Sequence, residues 1–208
     1  MENTASDLTE RSQQLASILY QSSCLDFGEF TLTSGKKSPY YVDLRLLPSY
    51  PELFDRVATM AAELVRQAEM DFDLVSAVPT GGLPFGTLLA HKLEAPLTYA
   101  RKRGKSHGAE RKVEGKMEEG DRVLVVDDII TTGGSILEAV ESIRANKGRV
   151  EDVLVILDRT EGGGENLRQQ GLELHKVGDI GPVVRELREA GKISRKMSDK
   201  VKKYLAER

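Results

Sequence analysis

Two aspartates stand side by side at Asp127 and Asp128, and a run of small residues follows closely: Thr131, Thr132, Gly133, Gly134 and Ser135. Adjacent carboxylates accept hydrogen bonds from hydroxyls or hold a cation. A turn of small residues does the opposite. Its bare backbone N–H groups and its hydroxyls donate, and they suit an anion, above all a phosphate. A phosphorylated sugar satisfies both at once, with its phosphate in the turn and its ring hydroxyls on the carboxylates. A metal ion could carry part of the charge.

The flanking residues predict how this stretch is held. Val123 to Val126 and then Ile129 and Ile130 form a valine-rich apolar run bounded by turn residues, the pattern of a strand buried on both faces. Such a strand delivers the aspartates to its carboxyl end, where ligands bind in open α/β sheets. Ile136, Leu137, Val140 and Ile143 then fall on one helical face, so the positive end of a helix meets the same turn. No Gly-Lys-Ser/Thr follows, so this is not a Walker A loop. Adjacent acids and a Gly-rich turn also occur as plain polar loops, and shape alone does not separate the two readings.

The rest of the chain supplies a frame. Residues up to about Tyr20 read as an amphipathic helix with Leu8, Leu15, Ile18 and Leu19 as its stripe. Phe27 to Pro48 reads as two short strands joined by a basic turn, a cap lying before the main alternation. Pro51 to Met70 is helical, Asp73 to Val78 a strand, and Pro79 to Pro84 a second Gly-Gly turn before a helix to about Leu93. A strand near Pro96 to Ala100 leads into Arg101 to Asp121, which is polar, glycine-containing and densely charged; this predicts a long mobile loop or exposed hairpin. Arg149 to Asp158 is a further buried strand, ending at Arg159 and a loop, TEGGG. A short strand from Leu172 to Val177 and two tail helices, roughly Val183 to Ala190 and Lys196 to Leu205, complete the chain. Alternating strands and helices predict a parallel sheet with helices on both faces.

Composition narrows the function class. The 208 residues, 39% hydrophobic and 30% charged, suit one domain with a sizeable core. A net charge of −3 argues against a nucleic-acid binder, and no helix-turn-helix appendage is evident. No apolar run approaches the about 18 residues that span a bilayer, and the polar N-terminus lacks a signal pattern, so a cytoplasmic protein is expected. Cys24 stands alone, which excludes an internal disulfide and predicts a small buried hydrophobe.

Four segments together resemble one family. VLVVDDIITTGGS is similar to the phosphoribosyl pyrophosphate (PRPP) motif of type I phosphoribosyltransferases, and FTLTSGKKSPYYVDLR, RKRGKSHG and LDR resemble elements of the orotate phosphoribosyltransferases among them. The resemblance implies the type I fold: a central parallel sheet flanked by helices, in a single domain over 1–208, with a small N-terminal hood over about 1–50. It also implies transfer of the phosphoribosyl group from PRPP to orotate, giving orotidine 5′-monophosphate and pyrophosphate in pyrimidine biosynthesis, with Mg²⁺ held mainly by substrate oxygens and water.

The resemblance carries roles onto residues. Asp127 and Asp128 would hold ribose hydroxyls, and the run Ile129, Ile130, Thr131, Thr132, Gly133, Gly134 and Ser135 would bind PRPP through its 5′-phosphate. Arg101, Lys102, Lys105 and His107 would grip the pyrophosphate, with Lys105 and His107 nearest the departing oxygens. Arg159, together with Thr131, would bind orotate. The charged loop would reach into a neighbouring subunit's site, implying a homodimer with shared active sites. Two positions depart from the common bacterial pattern: Thr33 and Gly81 stand where that pattern has lysines, leaving Lys36, Lys37 or the charged loop to compensate. Rival readings are a purine-specific transferase and a PRPP-sensing regulator.

Overall fold

The computed structural model describes residues 5–31, 35, 37–100 and 113–207. It holds two sheets. The smaller pairs β1 (Leu25–Thr31) with β2 (Lys37–Val42) in antiparallel register, Leu25 opposite Val42, with an irregularity between Phe27 and Phe30. The basic turn between these strands falls largely outside the described residues, Thr33 and Lys36 included. Lys37 is described, and its Nζ donates to Thr31 Oγ1 at 2.7 Å.

The larger sheet contains β3 (Leu74–Ala77), β4 (Leu97–Ala100), β5 (Val113–Glu114), β6 (Val123–Ile130), β7 (Asp152–Asp158) and β8 (Glu173–Asp179), in the order β5-β4-β3-β6-β7-β8. All neighbours are parallel except β4 and β5. The chain passes from β3 outward to β4, then returns to the other side of β3 as β6 and continues outward through β7 and β8. The order therefore reverses between β3 and β6, and a crevice opens above the carboxyl ends of those two strands.

Helices cover both faces: α1 (Ala5–Gln21), α2 (Pro51–Gln67), α3 (Gly82–Lys92), α4 (Gly134–Ala145), α5 (Gly163–Arg168), α6 (Ile180–Glu189) and α7 (Arg195–Ala206). Pro51 opens α2, where its missing N–H costs nothing. One core takes Leu124 and Val126 of β6 together with α1, α2, α3 and α6. The other takes Val123 and Val125 with α4. This is the strict alternation of a strand buried on both sides. It slips at the aspartates: beyond them Ile129 packs with the first core and Ile130 with the second.

β6 runs through the aspartates to Ile130, so they lie at its carboxyl end as expected. One sequence expectation changes. The stretch after Arg159 is not simply a loop, because Gly163–Arg168 is helical. The glycines argue locally against a helix, but Leu167 is wholly buried against the second core and holds the turn in place. The tail helices pack on the body as expected, and α7 also supports the hood: Tyr204 meets Tyr40 of β2 edge-on, with centroids 5.8 Å apart. Cys24 is buried.

Candidate active site

At the crevice, Asp127 and Asp128 are buried side chains. The Asp128 N–H donates to Asp127 Oδ1 at 2.9 Å. Burial pushes the Asp128 carboxyl above its ordinary value; hydrogen bonds from its surroundings and the positive charge of Arg45 act the other way.

Two cavities of about 330 and 310 Å³ adjoin here and share Asp127, Ile129, Thr131 and Ser135. The first is walled by the whole turn from Ile130 to Ser135 at the head of α4. The second runs from Asp128 to the turn after β3, at Pro79 and Gly81, and to the end of β2, at Val42, Asp43 and Arg45. The residues predicted from the 127–135 run are thus gathered in one place by strand, turn and helix, as their local sequence implies.

The turn after β3 reaches the aspartates because it has no side chains. A Cβ on Gly81 would lie 2.6 Å from Asp128 Cγ, and one on Gly82 would lie 2.8 Å from Asp127 Oδ1. Contacts this short do not exist between real atoms, so a lysine at position 81 would need Asp128 to move. The departure at Gly81 therefore has a steric basis in this chain.

Behind the turn stands α5. Asn166 Nδ2 donates to Thr132 O at 3.0 Å, and Gly163 comes so near that a Cβ there would lie 2.5 Å from Thr131 O. Neither residue is distinctive in sequence, and only packing reveals them as supports of the turn.

Arg159 sits one residue beyond β7, its N–H donating to Ile130 O at 3.0 Å. Its side chain is buried. Nε donates to Tyr40 Oη at 3.3 Å, Cζ lies 5.1 Å from the Tyr40 ring centroid, and Nη2 is 2.8 Å from Glu161 Oε1. It does not appear among the described residues lining the two cavities. It links the hood to the sheet beside them.

Arg101, Lys102, Lys105 and His107 lie outside the described residues. Their segment leaves from β4 and returns in β5, with Ala100 paired to Val113, so its two ends are adjacent at the sheet edge. Asp43 and Arg45 end the segment FTLTSGKKSPYYVDLR, in which Arg45 is given no role of its own. Asp43 caps the 3₁₀ turn Leu44–Ser49 by accepting from Arg45 N–H, and the same carboxylate grips the Arg45 side chain. The sequence shows the pair as an Asp-x-Arg spacing at a strand end.

The donors around the cavities are carboxylates, hydroxyls and backbone groups, with neither thiolate nor imidazole among the described lining residues. That set suits a hard cation such as Mg²⁺. The one grouping of metal-ligating side chains among the described residues, Asp152, Glu173 and His175, lies at the amino ends of β7 and β8, the opposite end of the sheet.

A family model described as a phosphoribosyl transferase domain matches residues 47–168. An orotate phosphoribosyltransferase of Sulfolobus acidocaldarius is 46% identical over 160 residues, covering 77% of this chain and 80% of its own. The chain belongs to the orotate phosphoribosyltransferase family. Among solved structures, the orotate phosphoribosyltransferase of Aeropyrum pernix superposes with a TM-score of 0.78 at 36% identity, covering 86% of this chain and 99% of its own. A UMP synthase of Leishmania donovani reaches 0.85 at 32% identity and covers 95% of this chain, which in turn spans 42% of that longer protein.

Proposed function

We propose that this chain moves the 5-phosphoribosyl group of PRPP to N1 of orotate, releasing pyrophosphate and forming orotidine 5′-monophosphate for pyrimidine biosynthesis. One observation carries the reading. Two buried carboxylates and a Gly-rich helix-heading turn share one crevice, so a ligand there meets acceptors for hydroxyls and donors for phosphate at once.

The bond from C1′ to the pyrophosphate oxygen breaks, the electron pair leaves with pyrophosphate, and orotate N1 bonds to C1′ while the N1 proton is lost to the departing pyrophosphate or to water. Positive charge grows on the ribose and negative charge on the leaving group. Asp127 and Asp128 hold the ribose hydroxyls and lie where the positive charge develops. Thr131 to Ser135 bind the 5′-phosphate through backbone N–H groups and hydroxyls. Arg101, Lys102, Lys105 and His107 take up the negative charge of the pyrophosphate. Prepositioned charge of this kind is usually the largest catalytic contribution. Arg159 pairs with the orotate carboxylate, a contact to which a guanidinium brings strength and direction, and Thr131 meets orotate as well. Mg²⁺, when bound, would rest mainly on substrate oxygens and water and would supply charge neutralisation for the diphosphate.

The protein works as a single catalytic domain with an N-terminal hood, in the cytoplasm, and as a homodimer whose charged loops serve neighbouring sites. Support for the dimer comes from the placement of β4 and β5 at an edge of the sheet and from Leu46 and Tyr50, exposed apolar residues just after Arg45. No helix among the described residues is long and apolar enough to cross a membrane.

The test is consumption of orotate with PRPP and Mg²⁺, run beside a panel of purine bases and beside the Arg159→Ala variant. Orotate alone should be consumed, and the variant should lose orotate affinity far more than PRPP affinity. Turnover of a purine, or loss of PRPP affinity alone in the variant, would overturn the assignment.

A further inference from the structure

The second cavity is lined by three carboxylates, from Asp43, Asp127 and Asp128, and by one described cation, Arg45. The first cavity has no cationic side chain among its described lining residues. Arg45 lines the same cavity as Pro79 and Gly81, and a side chain at position 81 would need Asp128 to move.

The way Arg45 is held is unusual for a surface arginine. Its Nε donates to Asp43 Oδ1 and its Nη2 to Asp43 Oδ2, both at 2.7 Å, while its own backbone N–H donates to Asp43 Oδ1 at 3.1 Å. One carboxylate thus fixes the backbone and the guanidinium together. The side chain is still 64% exposed, and an ion pair that open adds little to folding. What it does achieve is orientation: the guanidinium keeps Nη1 without a hydrogen-bond partner among the described residues, and its rotamer freedom is already lost before a ligand arrives. Its charge also reaches the interior, since it favours the ionised form of Asp128.

We propose that Arg45, aimed by Asp43, is a further cation for the diphosphate of PRPP and for the pyrophosphate product, binding from the hood side opposite the Gly81 turn. Arg45 is the contact residue and Asp43 a positioning residue. The assignment rests on the crevice being the PRPP site. It explains how the chain manages with threonine and glycine where the common bacterial pattern has lysines: the charge enters from the end of β2.

The experiment is calorimetric titration of magnesium pyrophosphate and of PRPP into Arg45→Ala, Arg45→Lys and Asp43→Asn, with steady-state KM for orotate and melting temperature measured on the same proteins. Arg45→Ala should weaken pyrophosphate binding about tenfold, the scale of one lost charge-assisted hydrogen bond, with orotate KM and melting temperature little changed. Arg45→Lys should recover part of the affinity, since it keeps the charge and loses the fork. Asp43→Asn should weaken pyrophosphate binding less than Arg45→Ala does. Unchanged pyrophosphate affinity in Arg45→Ala, or a rise confined to orotate KM, overturns the role of Arg45; no effect of Asp43→Asn overturns the positioning. Asp127→Asn, run in parallel, keeps the two levels apart. If it leaves PRPP affinity intact, the crevice is not the PRPP site, whatever Arg45 does.

Discussion

Asp128 carries a conflict between folding and function. Its burial favours the neutral acid, whereas a carboxylate that accepts from ribose hydroxyls works best ionised. The sign follows from linkage. A carboxyl whose folded pKa lies above its unfolded one takes up a proton more readily when folded, so stability declines as pH rises from the unfolded value through the folded one. Above that window the ionised group is a net cost to the fold. Asp128→Asn should therefore raise the melting temperature at neutral pH, with the gain shrinking on acidification, while activity falls steeply. Thermal melts over a pH series, beside turnover, check this; a variant less stable at neutral pH would contradict it. In the wild type, turnover should begin to fall on acidification at a higher pH than an ordinary aspartate would dictate.

At the scale of elements, the site is a strand end, a turn and a helix head braced from behind by α5. The brace is tight. A Cβ at Gly163 would sit 2.5 Å from Ile130 Cγ1 and from Thr131 O, and one of those partners is backbone that belongs to the turn heading α4. Gly163→Ala should cost about 1–3 kcal/mol of stability, the usual range for overpacking. It should also raise KM for PRPP by displacing Thr131. Denaturant unfolding with PRPP kinetics on the same variant tests both, and normal PRPP kinetics would show that α5 does not set the turn. The short helix escaped sequence reading because its glycines oppose helix formation locally; burial of Leu167 overrides them. The βα turn it supports was legible because every signal there agrees: apolar run, small-residue turn, then a 3.6-residue stripe.

Across the whole molecule, the hood, sheet and tail form one chain of contacts. Tyr204 of α7 packs on Tyr40 of β2, Tyr40 contacts Arg159, and Arg159 pairs with Glu161. The arginine beside the crevice is thus held by residues from both ends of the sequence. On the other side, β4 and β5 carry the two ends of the charged segment at the sheet edge. If that segment serves a neighbouring subunit, mixing Lys105→Ala chains with Asp127→Asn chains should restore activity that neither has alone, because one site in the mixed dimer is intact. Absence of rescue, with exchange of subunits verified, would assign each loop to its own site.

The amino-acid sequence alone determined the strand, turn and helix around 127–135, the α/β alternation and the family, because strand burial, turn composition and helix periodicity are properties of neighbouring residues. It also revealed that Thr33 and Gly81 depart from a lysine pattern. Only the tertiary structure decided what those departures mean. The reversal of strand order between β3 and β6 brings Gly81 against Asp128, and the hood folds Arg45 onto the same cavity. No local pattern marks either contact, since each joins segments far apart in the chain and depends on the room left between them.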